Sequence, residues 1–98
     1  MTPAPYRVVW KRSATEIQLA TIVLDLYERG HPVGPVTRAM ARLEQLLALD
    51  PNNLGESRPN FERIATDSPL TIWFAVHDDE RMVYVLAVTY TLPRHLRG

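Results

Sequence analysis

A chain of 98 residues with eleven basic and eleven acidic side chains carries no formal net charge. That length suits one domain with one core, and the balance excludes the basic excess of a dedicated nucleic-acid binder, so a basic patch can arise only by segregation of charge. The absence of cysteine excludes disulfides and thiolate metal sites and makes a reducing cytoplasm the default.

The opening Met1-Thr2-Pro3-Ala4-Pro5 lacks the apolar core of a signal peptide and reads as a frayed lead-in. No apolar run is long enough to span a bilayer, so a cytoplasmic protein without membrane association is expected. His31, His77 and His95 are scattered without metal-ligand spacing, and neither a metal nor a cofactor is expected.

Tyr6-Arg7-Val8-Val9-Trp10-Lys11 reads as a strand, with Tyr6, Val8 and Trp10 on one face and Arg7, Val9 and Lys11 on the other. Ser13-Ala14-Thr15-Glu16 fits a capping box opening a helix. That helix runs to about Arg29, where Gly30 is a natural left-handed stop. Ile17, Ala20, Leu24 and Tyr27, widened by Val23, form an apolar stripe of the kind a helix turns toward its core.

After the connector His31-Pro32-Val33-Gly34, Pro35 suits the first turn of a second helix. Val36, Met40, Leu43 and Leu47 recur at helical spacing, with Ala39 and Leu46 beside them, and Asp50-Pro51-Asn52-Asn53 is turn chemistry that ends it near Leu49. So short a link makes the two helices an antiparallel hairpin. Leu54 to Pro59 reads as loop and Phe61 to Ala65 as a short strand. Leu70 to Val76 and Met82 to Tyr90 are strands rich in β-branched and aromatic residues, joined by the polar tip His77-Asp78-Asp79-Glu80-Arg81 as a β-hairpin.

Strict alternation along that hairpin assigns Ile72, Phe74 and Val76 with Tyr84, Leu86 and Val88 to the core. Thr71, Trp73, Ala75 and His77 with Val83, Val85, Ala87 and Thr89 fall on the opposite face. This second face is too apolar for bare solvent and reads as a partner surface. Trp73, with Val83 and Val85, is the expected anchor, because buried aromatics dominate interfaces.

The order of these elements resembles the RelE/ParE superfamily of bacterial type II toxin–antitoxin modules. The resemblance is carried by Tyr6-Arg7-Val8-Val9-Trp10, by the helix opening Ser13-Ala14-Thr15-Glu16, by the loop Leu49-Asp50-Pro51-Asn52-Asn53-Leu54-Gly55, and by the closing hairpin Pro69 to Val76 and Met82 to Val88. It implies an α+β fold over residues 1–98, in which an N-terminal strand and a helical hairpin precede antiparallel strands of one sheet, with helices on one face and loose ends at 1–5 and 94–98. It further implies a toxin, of the kind that stabilises plasmids, neutralised by a cognate antitoxin. The activities known in the family are ribosome-dependent cleavage of mRNA and poisoning of DNA gyrase. Cleaving members carry arginines where this chain has Thr71 and Thr91, so the resemblance leaves open whether the chain is an enzyme.

RNA cleavage needs a cation at phosphate and groups that move protons. Arg63 is the candidate phosphate clamp, because a guanidinium fork matches phosphate oxygens and Arg63 would reach the open face if Ile64 pointed inward. Arg94 and His95 follow the last strand, and an imidazole there could act as acid or base near neutral pH. Lys11, Arg12, Arg38 and Arg42 could form a basic rim, with Arg38 and Arg42 one helical turn apart. The alternative to an endoribonuclease is a binding module whose open sheet face takes an antitoxin segment or a second copy of the chain.

Overall fold

The computed structural model describes residues 4–91. Five strands form one sheet: β1 (Arg7–Trp10), β2 (Glu56–Arg58), β3 (Glu62–Asp67), β4 (Leu70–His77) and β5 (Met82–Tyr90), in the spatial order β1-β5-β4-β3-β2. A π-helical stretch, Ser13–Leu19, continues directly into α1 (Ala20–Glu28), and α2 (Gly34–Leu49) follows the connector.

The expected order and helix-then-hairpin arrangement are present, with two differences. Residues 54–59, expected as loop, contain β2, which pairs antiparallel with β3. The sheet is also mixed, because β1 lies parallel to β5, with Val8 opposite Val83 and Trp10 opposite Val85. The intervening chain supplies the long crossover that a parallel pair needs.

Ser13 and Glu16 do not form the capping box. No side chain caps the π-helical stretch, and Glu16 instead binds the Arg12 guanidinium at 2.7 Å. At the other end the helix stops as expected. Gly30 takes φ +73°, and the His31 amide donates to the Leu26 carbonyl at 2.9 Å, the turn a left-handed residue permits.

The inner stripe of α1 is not the one expected. Leu19 and Leu26 are buried, and Ile22 and Val23 pack against the same core. Ile17, Leu24 and Tyr27 are 63%, 58% and 77% exposed. The helix is apolar on two sides, and periodicity cannot say which side faces in. On α2 the pattern reads directly: Val36, Ala39, Leu43 and Leu47 are buried.

The hairpin carries the largest correction. Leu70, Ile72 and Phe74 of β4 are fully buried, as alternation requires. On β5 the register slips: Ile72 lies opposite Val88 and Trp73 opposite Ala87, but Phe74 lies opposite Val85. Leu86 is therefore an extra residue, a β-bulge that reverses the facing of everything before it. Val83 and Val85, expected on the partner face, are fully buried with the core, and Tyr84 falls on the open side. Beyond the bulge the expected facing returns, with Val88 and Tyr90 packed in the core cluster.

Two polar clusters tie the ends of this frame together. The Tyr6 hydroxyl donates to Asp78 Oδ1 at 2.5 Å, and the Asn52 amide donates to the same oxygen at 2.7 Å. The Arg81 guanidinium lies 4.2 Å from the Tyr6 ring centroid and donates to the Ala4 carbonyl. The N-terminal segment, the turn after α2 and the β4–β5 tip are thereby fixed to one another. The bond from Tyr6, then that from Asn52, holds the Asp78 carboxyl below its ordinary range, and the bond to Asp78 raises the Tyr6 phenol. In the second cluster Arg63 donates from Nε to the Leu54 carbonyl at 2.9 Å and from Nη2 to the Gly55 carbonyl at 3.0 Å. Gly55 has φ +69°, and a Cβ there would meet the Ile64 carbonyl oxygen at 2.0 Å, so only glycine fits the turn into β2.

Candidate partner-binding face

The helices cover one face of the sheet and leave the other open. Strand register lays out the open face in rows. One row runs Val9, Tyr84, Ala75, Glu62 and Arg58; the next runs Ala87, Trp73, Ile64 and Glu56. A third is Thr89, Thr71 and Thr66, in which the two hydroxyls of Thr66 and Thr71 lie 2.9 Å apart and hydrogen-bond. Val9, Tyr84, Ala75, Trp73, Ile64 and Ala87 are all half-buried, although no helix lies over them. The centre of the face is therefore apolar and aromatic, and charges sit toward its two ends: Arg7 and Lys11 by β1, and Glu56, Arg58 and Glu62 by β2 and β3. An apolar centre with a charged rim is the anatomy of a protein interface.

At the β1 end, Lys11 Nζ lies 4.8 Å from the Tyr84 ring centroid, a cation–π contact. The His77 ring meets Tyr84 edge-on, with centroids 5.1 Å apart and planes at 84°. Lysine, imidazole and phenol thus gather on the open face. Of the three, sequence reading placed only His77 there, put Lys11 in a basic rim and Tyr84 in the core. The signal it lacked was the bulge.

The expected site residues separate. Trp73 stands on the open face beside Ile64 and Ala87. Val83 and Val85 do not, being sealed beneath the helices. Arg63 does not reach the open face either. It lies opposite Phe74, on the helix side of β3, while Glu62, Ile64 and Thr66 face outward; its guanidinium is held by two backbone carbonyls. Arg94 and His95 lie outside the described residues.

The expected basic rim does not form as one surface. Lys11 is on the open face. Arg42 is on the helix side, paired with Asp67 through Nε at 2.7 Å and Nη2 at 3.2 Å, and that bond raises its already high pKa. Arg12 is paired with Glu16, and Arg38 lies exposed on α2 against Gly34. Among the described residues no three His, Cys, Asp or Glu side chains converge as metal ligands, and no helix is long and apolar enough to cross a membrane.

No protein-family profile matches the sequence, and a search of curated proteins finds no match. Among solved structures, the fold matches a chain of the toxin–antitoxin complex RelBE2 from Mycobacterium tuberculosis. The TM-score is 0.67 with 17% sequence identity, over 92% of this chain and 95% of that one. The two chains therefore share one architecture, an α+β sheet with its helices on one face. At that identity the likeness speaks to the fold alone.

Proposed function

We propose that the chain is the toxin-like component of a type II toxin–antitoxin module, neutralised by an antitoxin segment that lies across the open face of its sheet. The observation that carries this reading is the strip Val9–Tyr84–Ala75 beside Ala87–Trp73–Ile64, an apolar surface between charged ends that the described helices leave bare. The solved neighbour with this fold is part of a toxin–antitoxin complex, in keeping with such a partner. The test is co-expression with the small protein encoded beside the gene. The expected result is a complex with the wild-type chain and none with Trp73→Glu, whose substituted side chain is on no core face. A complex formed equally well by both would overturn the reading.

Binding rather than RNA cleavage is what the side chains favour. Thr71 bonds Thr66, and Arg63 is turned away, so neither offers a cation to phosphate on this face. A second reading is carried by Lys11, Tyr84 and His77, which place a cation, a phenol and an imidazole on one open surface. If the chain cuts messenger RNA, these groups are the candidates for charge stabilisation and proton transfer. Induction in a bacterial host followed by transcript mapping tests this: cutting that disappears in His77→Ala and Lys11→Ala supports it, and cutting that survives both removes it.

A further inference from the structure

We propose that the cavity beside the β2–β3 turn is a binding site for a free purine nucleotide or nucleoside, recognised through its base, with Phe61 as the ring on which the base stacks. Pro59, Asn60, Phe61 and Glu62 form that turn, and the Glu62 amide donates to the Pro59 carbonyl at 3.4 Å. Asn60 and Phe61 have φ +65° and +62°, the two left-handed residues of a type I′ hairpin turn. Asn60 suits its place. Phe61 stands where such turns take glycine, and a bulky side chain in that conformation is strained. The fold gains no packing in return, because the Phe61 side chain is 92% exposed. Backbone strain of this kind clusters at ligand and functional sites.

The ring borders a cavity of about 520 Å³, a size that suits a small molecule. Arg63 of β3, Val76 and Asp78 at the end of β4, and Asn52 in the turn after α2 contribute to its walls. Arg63 and Val76 lie opposite Phe74 and Val83, on the helix side of the sheet. The site is therefore separate from the open face.

The uncommitted hydrogen-bonding groups of the cavity define the ligand. Asp78 accepts from Tyr6 and Asn52 through Oδ1, and Oδ2 is uncommitted among the described residues. Asn52 donates through Nδ2 to Asp78 and Tyr6, which leaves its carbonyl oxygen. Arg63 donates through Nε and Nη2 to the Leu54 and Gly55 carbonyls, which leaves Nη1. The cavity thus offers acceptors and a donor together.

Charge narrows the choice. Arg58 is paired with Glu56 at 3.1 Å, and Arg63 is balanced by Asp78 and Glu62 in the same walls. A cationic ligand would meet Arg63, and an anionic one would meet the two carboxylates. A neutral, planar group with both donors and acceptors on its edges satisfies the site, and it can stack on Phe61 as bases do on exposed aromatic rings. Guanine matches best. Its N1–H and amino group suit a carboxylate, and its O6 and N7 suit a guanidinium. The phosphates of an RNA strand would find no excess of positive charge here, so the ligand is the free nucleotide or nucleoside and not a strand.

Nuclear magnetic resonance of the labelled full-length chain, titrated with guanosine monophosphate, tests the proposal. The expected result is saturable amide shifts centred on Asn52, Phe61, Arg63 and Asp78, with cytidine monophosphate, which carries the same phosphate, shifting them far less. Phe61→Tyr is expected to keep the shifts. Phe61→Gly is expected to abolish them and yet to melt no lower than wild type, because glycine relieves the turn and no packed ring is lost. An absence of shifts at about 10 mM guanosine monophosphate, well above a millimolar dissociation constant, overturns the proposal. So do shifts that survive Phe61→Gly, equal binding of cytidine monophosphate, or a Phe61→Gly chain that melts below wild type. If a single-stranded oligoribonucleotide binds the cavity more tightly than the mononucleotide, with an affinity that falls steeply with salt, the site belongs to a nucleic-acid strand and the assignment to a free nucleotide is wrong.

Discussion

Trp73 and Val85 are on opposite faces of the sheet: Trp73 is half-buried on the open side across from Ala87, whereas Val85 lies fully buried across from Phe74. Leu86, the unpaired residue beside Val85, makes the difference. Deleting Leu86 would leave Val85 and Ala87 adjacent in one continuous register, with Phe74 still opposite Val85 and Trp73 still opposite Ala87, so the rest of β5 keeps its facing. The deletion variant is therefore expected to keep cooperative unfolding in thermal melts, with Val83, Val85, Val88 and Tyr90 still in the core. A deletion variant that lost cooperative unfolding would contradict the assignment of Leu86 as the extra residue.

Burial separates the two faces energetically. Phe74→Ala is expected to cost about 3–5 kcal/mol, the range for emptying a buried aromatic site, and Val85→Asp to prevent folding by burying an unpaired charge. Trp73→Ala, on the open side, is expected to cost less than Phe74→Ala while abolishing partner binding. Urea unfolding of the three variants checks the order.

Arg63 is a fastener for the turn into β2. Its bonds to the Leu54 and Gly55 carbonyls are charge-assisted, and losing them is expected to cost about 1–3 kcal/mol. For a domain of this size each kcal/mol lowers the melting temperature by about 4–8 °C. Arg63→Ala is therefore expected to melt lower yet retain partner binding and any RNA cutting. Loss of cutting in a variant still folded at the assay temperature would return Arg63 to a catalytic role.

The fold was legible in the sequence where one pattern had one solution. The alternation of β1, the stripe of α2 and the glycine stop after α1 each allow a single packing. It was not legible where two solutions had the same period. In α1, Leu19, Ile22 and Leu26 compete with Ile17, Ala20, Leu24 and Tyr27, and the wide π-helical winding at its start shifts the phase between them. In β5, nearly every residue is apolar, so nothing in Met82 to Tyr90 marks Leu86 as the extra one. The candidate face was half legible: Trp73 and His77 followed from alternation on β4, and Tyr84 was hidden by the bulge. Arg63 was misplaced because Ile64 was taken to point inward, whereas Ala65 does.

The Tyr6–Asp78–Asn52 cluster gives a pH dependence of definite sign. Asp78 has a folded pKa below 3.8, so its contribution is present above that value and is lost as pH falls through the folded pKa. Tyr6 has a folded pKa above 10.0, so its contribution is full below that value and is lost as pH rises through the folded pKa. Between those limits the cluster adds no slope. In melts between about pH 2 and pH 5, Asp78→Asn is expected to flatten the acid side of the stability curve, and in melts carried above pH 10.0 Tyr6→Phe is expected to flatten the alkaline side. Curves parallel to wild type would show that the cluster does not link folding to protons.

The open face itself can be read through Trp73, because the chain has only two tryptophans and Trp10 is on the helix side, its indole nitrogen donating to Glu44 at 3.3 Å. In a Trp10→Phe background, emission and acrylamide quenching report Trp73 alone. On titration with the small protein encoded beside the gene, the expected result is a blue shift with strong protection from quenching. A complex that forms while emission and quenching stay unchanged would contradict the assignment of this face to the partner.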